Sequence, residues 1–167
     1  MSTERRALPF DPIQEASRLW SQQWDETPRM RAVTSLMRVH QLVLTELDEL
    51  LRPLGLTFAR YEVLVLLSFS RRGSLPLGKI GERLQVHATS VTPLVKRLEA
   101  AELIQRTPHP EDGRAVLASI TPKGRTVMDR ATDAIVSAQF ALGALTEADC
   151  DRLTGLLTQP RQAAGDF

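Results

Sequence analysis

The sequence predicts a mainly α-helical chain that carries one small β-hairpin, and three features predict it. Apolar residues recur at steps of three and four through most of the chain. Two short runs near residues 103–107 and 115–120 instead look extended and flank a cluster of turn formers. Proline directly after Asp or Thr, at Asp11-Pro12, Thr27-Pro28 and Thr121-Pro122, marks helix starts, where its missing N–H costs nothing. The 167 residues are 43% hydrophobic and 25% charged, values of an ordinary globular chain rather than a disordered one. No apolar run approaches the roughly 18–20 residues of a membrane-spanning helix. Residues 1–11 are charged and lack the apolar stretch of a secretory signal. Cys150 is the single cysteine, which excludes an internal disulfide and fits a reducing, cytoplasmic setting.

The elements follow in order. Residues 1–26 read as an N-terminal extension with a short amphipathic helix, Ile13, Ala16, Leu19 and Trp20 on one side, ending near Trp24. Residues 27–56 hold a long amphipathic helix, with Thr27 as cap and Val33, Leu36, Met37, His40, Leu44, Leu47 and Leu51 as its stripe, stopped by Pro53 and Gly55. Thr57 caps the next helix while Leu56 staples onto Tyr61, and residues 61–69 are apolar nearly all round, so this helix is expected to be buried. Leu75-Pro76-Leu77 is a brief extended piece. A two-turn helix over 79–84 turns Ile80 and Leu84 inward.

His87-Ala88-Thr89-Ser90 is a polar break. The next helix has Val91, Leu94, Val95 and Leu98 inward, and Pro93 places its cap near Thr89 or Ser90, because proline is tolerated only in a first turn. Two strands then flank a hairpin tip over residues 108–114. These pieces assign residues 57–122 to one unit. Residues 123–160 read as an alanine-rich helix with Val127, Met128, Ala131, Ala134, Ile135, Ala138, Leu142 and Leu145 inward. A last helix opens at a Thr146–Asp149 capping box and closes at Pro160, and residues 161–167 form a loose tail.

Charge is unevenly spread. Residues 71–125 hold ten Arg and Lys against five Asp and Glu, a net of +5, whereas the flanks hold eleven against fifteen, a net of −4. A basic centre points to a polyanion partner. Two short helices with a tight break, followed by a two-stranded hairpin, make a winged helix-turn-helix. The major groove of B-DNA admits one helix, which needs one polar face and one face packed on its own domain. The helix from Thr89 meets that need, with Ser90, Thr92, Pro93, Lys96 and Arg97 outward. Short hydroxyls at its start can approach base edges or phosphates, and Lys96 and Arg97 the backbone or a guanine. An ordinary solvated helix face has the same composition. Arg114 at the hairpin tip is placed to enter the minor groove, with Asp112 orienting it through an ion pair or serving only as a turn former.

Four segments carry a resemblance. They are Leu77-Gly78-Lys79-Ile80-Gly81-Glu82-Arg83-Leu84, then Thr89-Ser90-Val91-Thr92-Pro93-Leu94-Val95-Lys96-Arg97-Leu98-Glu99, Pro110-Glu111-Asp112-Gly113-Arg114, and Ile120-Thr121-Pro122-Lys123-Gly124-Arg125. In order and spacing they resemble the MarR family of bacterial transcriptional regulators over residues 27–158. The resemblance implies a homodimer with two winged helix-turn-helix heads under a helical dimerisation base. It also implies a pseudo-palindromic double-stranded operator and a repressor released by a small ligand. Glu102 departs from the pattern, standing where such proteins carry a glycine that ends the recognition helix.

The effector of such regulators lies between the base and the DNA-reading unit, where Trp20, His40, Tyr61, Val65 and Phe69 are the candidates here; for His40 a core histidine is the more common explanation. The extra helix with Trp20 and Trp24 partly resembles a urate-responsive branch. Glu62 stands at that branch's acidic position, but Phe69 replaces its arginine, so an aromatic or acidic ligand other than urate is expected. Cys150 raises a redox-sensing alternative, weakened by its inward position and the absence of a second cysteine. Nothing reads as an enzyme, cofactor or metal site: His40, His87 and His109 do not fall at ligand spacing. A winged protein–protein adaptor is the remaining class, and an adaptor surface calls for apolar anchors where Lys96 and Arg97 stand.

Overall fold

The computed structural model describes residues 8–85, 88–110, 112 and 115–167, with the backbone alone for residues 88 and 89. The chain forms two compact units, Met1–Thr45 and Glu46–Phe167. In the first, helix α1 (Pro12–Trp20) starts as its sequence dictates: Asp11 Oδ1 accepts the Ile13 N–H at 2.9 Å and Pro12 takes the first position. It ends at Trp20, earlier than the apolar spacing indicates, because the Gln23 and Trp24 N–H groups both turn back onto the Trp20 carbonyl. Helix α2 (Thr27–Leu51) contributes residues to both units. Its first turn corrects the expected cap. Met30 N–H bonds to the carbonyl of Glu26, which sits at φ 60°, so Thr27 is the first helical residue and Pro28 the second.

The second unit builds its core around α3 (Phe58–Phe69), which packs against β1, α4, α5, β3 and α6. Thr57 does not cap it; the Phe58 N–H goes to Asp48 Oδ1 at 2.6 Å, a partner ten residues back that no local motif signals. Tyr61, Val63, Leu64 and Leu67 are buried, but α3 is not buried throughout: Phe69, at its last position, is 82% exposed. The chain leaves the helix there, with Ser70 extended, so nothing covers the final ring.

Strand β1 (Ser74–Pro76) leads into α4 (Leu77–Leu84), which Gln85 ends in the left-handed region at φ 52°. Helix α5 is Ala88–Ala100. Pro93 is its sixth residue rather than part of the first turn, so the start of α5 is longer than the proline indicates and lacks one helical donor. Strands β2 (Ile104–Pro108) and β3 (Val116–Ile120) pair antiparallel, Arg106 opposite Ala118. The short extended piece is a third strand, in the order β1-β3-β2, with Leu75 opposite Ala118. Pro76 is tolerated because β1 is an edge. The fold is thus mainly α with a small antiparallel wing.

Helix α6 (Pro122–Ser137) keeps its expected start, with Thr121 Oγ1 accepting the Gly124 N–H at 2.9 Å. Gly124 is required by space: a Cβ there would lie 2.0 Å from the Leu103 carbonyl oxygen. The helix does not continue to Leu145. It stops at Ser137, and Gln139, Phe140 and Ala141 all take positive φ, 50°, 53° and 58°. Each costs an L-residue about 1–2 kcal/mol, and the glycine of the run, Gly143, falls two residues beyond the turn rather than in it.

Helix α7 (Glu147–Ala163) opens on the expected box: Thr146 Oγ1 accepts the Asp149 N–H at 3.2 Å and donates to Asp149 Oδ2 at 2.6 Å. Pro160 lies inside it rather than closing it. The tail is held, not loose. Arg161 Nε pairs with Asp166 at 2.7 Å, Gln85 Nε2 also donates to Asp166, and the Arg161 guanidinium lies 4.9 Å from the Phe167 ring centre. Among the described residues no helix is long and apolar enough to cross a membrane.

Candidate nucleic-acid interface

Helix α5 divides along its length. Val91, Val95 and Leu98 are at most 1% exposed and Leu94 is half-buried, while Ser90, Thr92, Pro93, Lys96 and Arg97 are exposed. The apolar stripe seats the helix on α3, α4 and β2, and the polar face is left to solvent. Among the described residues neither Lys96 nor Arg97 has an ion-pair partner, so both charges remain available to an external anion. The Thr89 side chain and all of Arg114 lie outside the described residues. The expected Asp112–Arg114 pair therefore does too; Asp112 itself is exposed.

Glu102, which the sequence singled out, and Glu99, Arg106 and Lys123, which it did not propose as site residues, fix the far end of α5. Leu103 N–H bonds to the Leu98 carbonyl and Glu102 N–H to the Glu99 carbonyl, the paired bonds of a Schellman ending. Glu102 occupies its left-handed position at φ 61°, the place where glycine is favoured. Its carboxylate meets Lys123 Nζ at 2.8 Å, a hydrogen bond and charge that hold it below the usual carboxylate range. Its carbonyl accepts from Thr121 Oγ1 at 2.8 Å. One turn earlier Glu99 Oε2 accepts from Arg106 Nε at 2.7 Å, which keeps the Arg106 guanidinium protonated above its ordinary value. So α5 is tied to β2 through Glu99–Arg106 and to the first turn of α6 through Glu102–Lys123. The ionic partners sit 7 and 21 residues apart, and only the departure at Glu102 hinted at them.

The effector candidates fall in both units, Trp20 and His40 in the first and Tyr61, Val65 and Phe69 in the second. Trp20 is half-buried and gives its indole N–H to the Asp25 carbonyl at 2.7 Å, with Trp24 4.9 Å away between ring centres. His40 is exposed, not a core histidine. Tyr61 is 6% exposed and its hydroxyl is engaged with Thr132 Oγ1 at 3.0 Å. Val65 is half-buried, and Phe69 stands out in solvent one turn on. Beside them Glu62 is half-buried, and that burial pushes its carboxyl above its ordinary value. Cys150 is half-buried. Among the described residues no three His, Cys, Asp or Glu gather as metal ligands.

Comparison with known proteins gives the same layout. The MarR family profile matches residues 56–116. A solved MarR family transcriptional regulator from Streptomyces coelicolor is 50% identical, with a TM-score of 0.79 over 84% of this chain and 97% of that one. A second S. coelicolor MarR family regulator, solved in complex with DNA, is 23% identical and shares the fold at a TM-score of 0.76, covering 84% of this chain and 94% of that one. The organic hydroperoxide resistance transcriptional regulator of Bacillus subtilis (strain 168) is 37% identical over 84 residues, 50% of this chain. The chain spans about half the length of the most similar curated relatives, 56% in that case.

Proposed function

This chain belongs to the MarR family of transcriptional regulators, and from that premise we propose that it binds a double-stranded DNA operator sequence-specifically, as a homodimer, in the cytoplasm. The carrying observation is the two-sided character of α5, with Val91, Val95 and Leu98 buried and Ser90, Thr92, Pro93, Lys96 and Arg97 exposed. In this reading α5, with Thr89, lies in the major groove, Arg114 at the hairpin tip reaches the minor groove, and Asp112 supports it. Two copies place two such helices about one DNA turn, ~34 Å, apart, which calls for a pseudo-palindromic site. The apolar residues exposed on α2 are the natural covering surface between copies. The output is repression, relieved by a small ligand. A related regulator of the same family has been solved with DNA, which supports the reading.

The test is fluorescence anisotropy of the purified protein with the intergenic DNA upstream of its own gene, against scrambled DNA of equal length. Saturable binding at near-physiological salt, two chains per site and a clear preference for the native fragment are expected. Equal binding to both fragments that salt erases would overturn specific recognition, since that is the behaviour of a basic patch alone.

A further inference from the structure

We infer that the turn between α3 and β1 is a binding site for a small organic anion with an aromatic ring and a carboxylate or phosphate group. Arg71, Arg72 and Arg83 line one open depression of ≈ 380 Å³, with Phe69 at its edge. Among the described residues none of the three arginines has an ion-pair partner, although Lys79, Arg106 and Lys123 elsewhere in the same unit are each paired with a glutamate. A fourth guanidinium reaches the same turn: a Cβ on Gly73, itself at φ 64°, would lie 2.7 Å from Arg125 Nη2. Phe69 and Val116 are the large apolar side chains left exposed between residues 47 and 135 among those described.

These facts point one way. Gathered like charges repel unless an anion joins them, and the guanidinium fork matches the two oxygens of a carboxylate or phosphate. A solvent-exposed phenyl ring beside them offers a flat apolar face to a planar ligand, which can also stack on a guanidinium. The volume lies at the lower end of small-molecule sites, about 300–1,000 Å³. Position separates this turn from the hairpin tip. Ser74 pairs with Ser119 and Gly73 accepts from Ile120 N–H, so the turn lies at the end of the sheet away from the hairpin tip. An anion held by Arg71, Arg72 and Arg83 would join the α3–β1 turn to α4, the first helix of the helix-turn-helix. The site deepens the effector part of the proposed function and rests on it only there.

Isothermal titration of the full chain, without DNA, tests it with phenyl phosphate, benzoate, inorganic phosphate and neutral benzamide. Phenyl phosphate and benzoate are expected to bind once per chain, and benzamide not at all. Arg72→Gln and Arg83→Gln should each weaken phenyl phosphate by roughly tenfold or more, as loss of a charge-assisted contact does. Phe69→Ala should weaken phenyl phosphate severalfold and leave inorganic phosphate unchanged. Arg152→Gln on α7 removes the same charge elsewhere and should change nothing. Circular dichroism of each variant confirms that it folds, and Arg72→Gln, on an exposed turn, is the variant least able to disturb the core. No heat with any anion, equal losses in Arg152→Gln, or unchanged binding in both arginine variants would overturn the site. So would Arg72→Gln and Arg83→Gln that weaken operator binding tenfold while the wild type binds none of the anions, because the cluster would then be reading DNA phosphates. As ligand binding is read without DNA, failure here leaves the operator experiment standing.

Discussion

The middle of the chain and its two ends use apolar residues in opposite ways. Among the described residues every buried apolar side chain lies between Leu47 and Ile135, from Leu47 at 2% exposure to Leu64, Leu67, Ile80 and Ile135 at 0%. The large exposed ones, except Phe69 and Val116, lie outside that span: Val33, Leu36, Met37, Val39 and Leu42 on α2, then Val136, Phe140, Leu145 and Leu156 toward the other end. Helices α1 and α7 bury no residue at all. The middle therefore accounts for its own stability by burial, whereas the ends carry apolar surface that a single copy leaves in water. The contrast teaches that the middle builds a core of its own, while the flanking helices keep the apolar surface that the proposed homodimer would cover.

Truncation in the middle should give the largest effect. Leu64→Ala, at a fully buried position of α3, is expected to destabilise by about 2–5 kcal/mol in urea unfolding. Leu36→Ala on α2, 41% exposed, should show a small loss that grows with protein concentration if a second copy covers it. A loss as large as that of Leu64→Ala at every concentration would break the comparison. Met37→Asp, 54% exposed, carries the next largest effect. Sedimentation should show single chains in place of pairs, with operator affinity down by about two orders of magnitude because the two half-sites no longer act together. Unchanged assembly would mean that this face has another role.

How far the sequence was legible follows the same division. The local signal held at the Thr121 cap with Pro122, the Thr146–Asp149 box, the inward stripe of α5 and the glycine position taken by Glu102, but failed at the Thr27 cap, at Pro93 and at Pro160. It failed too where the decisive partner is distant or the backbone departs from its propensity. Asp48 displaces Thr57 as the cap of α3 across ten residues. Residues 139–141 reverse the chain without a glycine or proline. Phe69 matches the periodicity of a buried stripe, yet the helix ends under it. For the candidate site, the exposed face of α5 could be read from a period of 3.6, but the ties to Arg106 and Lys123 depend on the register of β2 and the start of α6, which no single segment encodes.

Lys96→Ala tests the middle as a reader rather than as a fold. Lys96 is exposed and unpaired among the described residues. If it contacts phosphate, the slope of log affinity against log salt should fall by about one, with unfolding unchanged. An unchanged slope would remove Lys96 from the interface. Glu102→Gly then asks whether the end of α5 is strained. Glycine suits φ 61°, and the lost Lys123 contact is exposed, so Tm should rise by about 2–4 °C. A fall in Tm would show that the ion pair outweighs the backbone.

The smallest effect lies at Glu62, a half-buried carboxylate on the helix around which the middle builds its core. Burial raises its pKa in the folded chain, so the folded state takes up a proton more readily than the unfolded one. The stability that this group provides is therefore fully present below its unfolded pKa and is lost as pH rises through the folded value. Glu62→Gln imitates the protonated form at every pH. Variant and wild type should unfold alike on the acid side of the carboxylate range, and the variant should gain an advantage as pH rises, reaching about 1–2 °C in Tm at neutrality. A gap that is constant with pH would mean that glutamine changes packing instead of charge. A gap of the opposite sign at neutral pH would mean that the ionised carboxylate has a favourable partner when folded, one strong enough to outweigh the burial that raises its pKa.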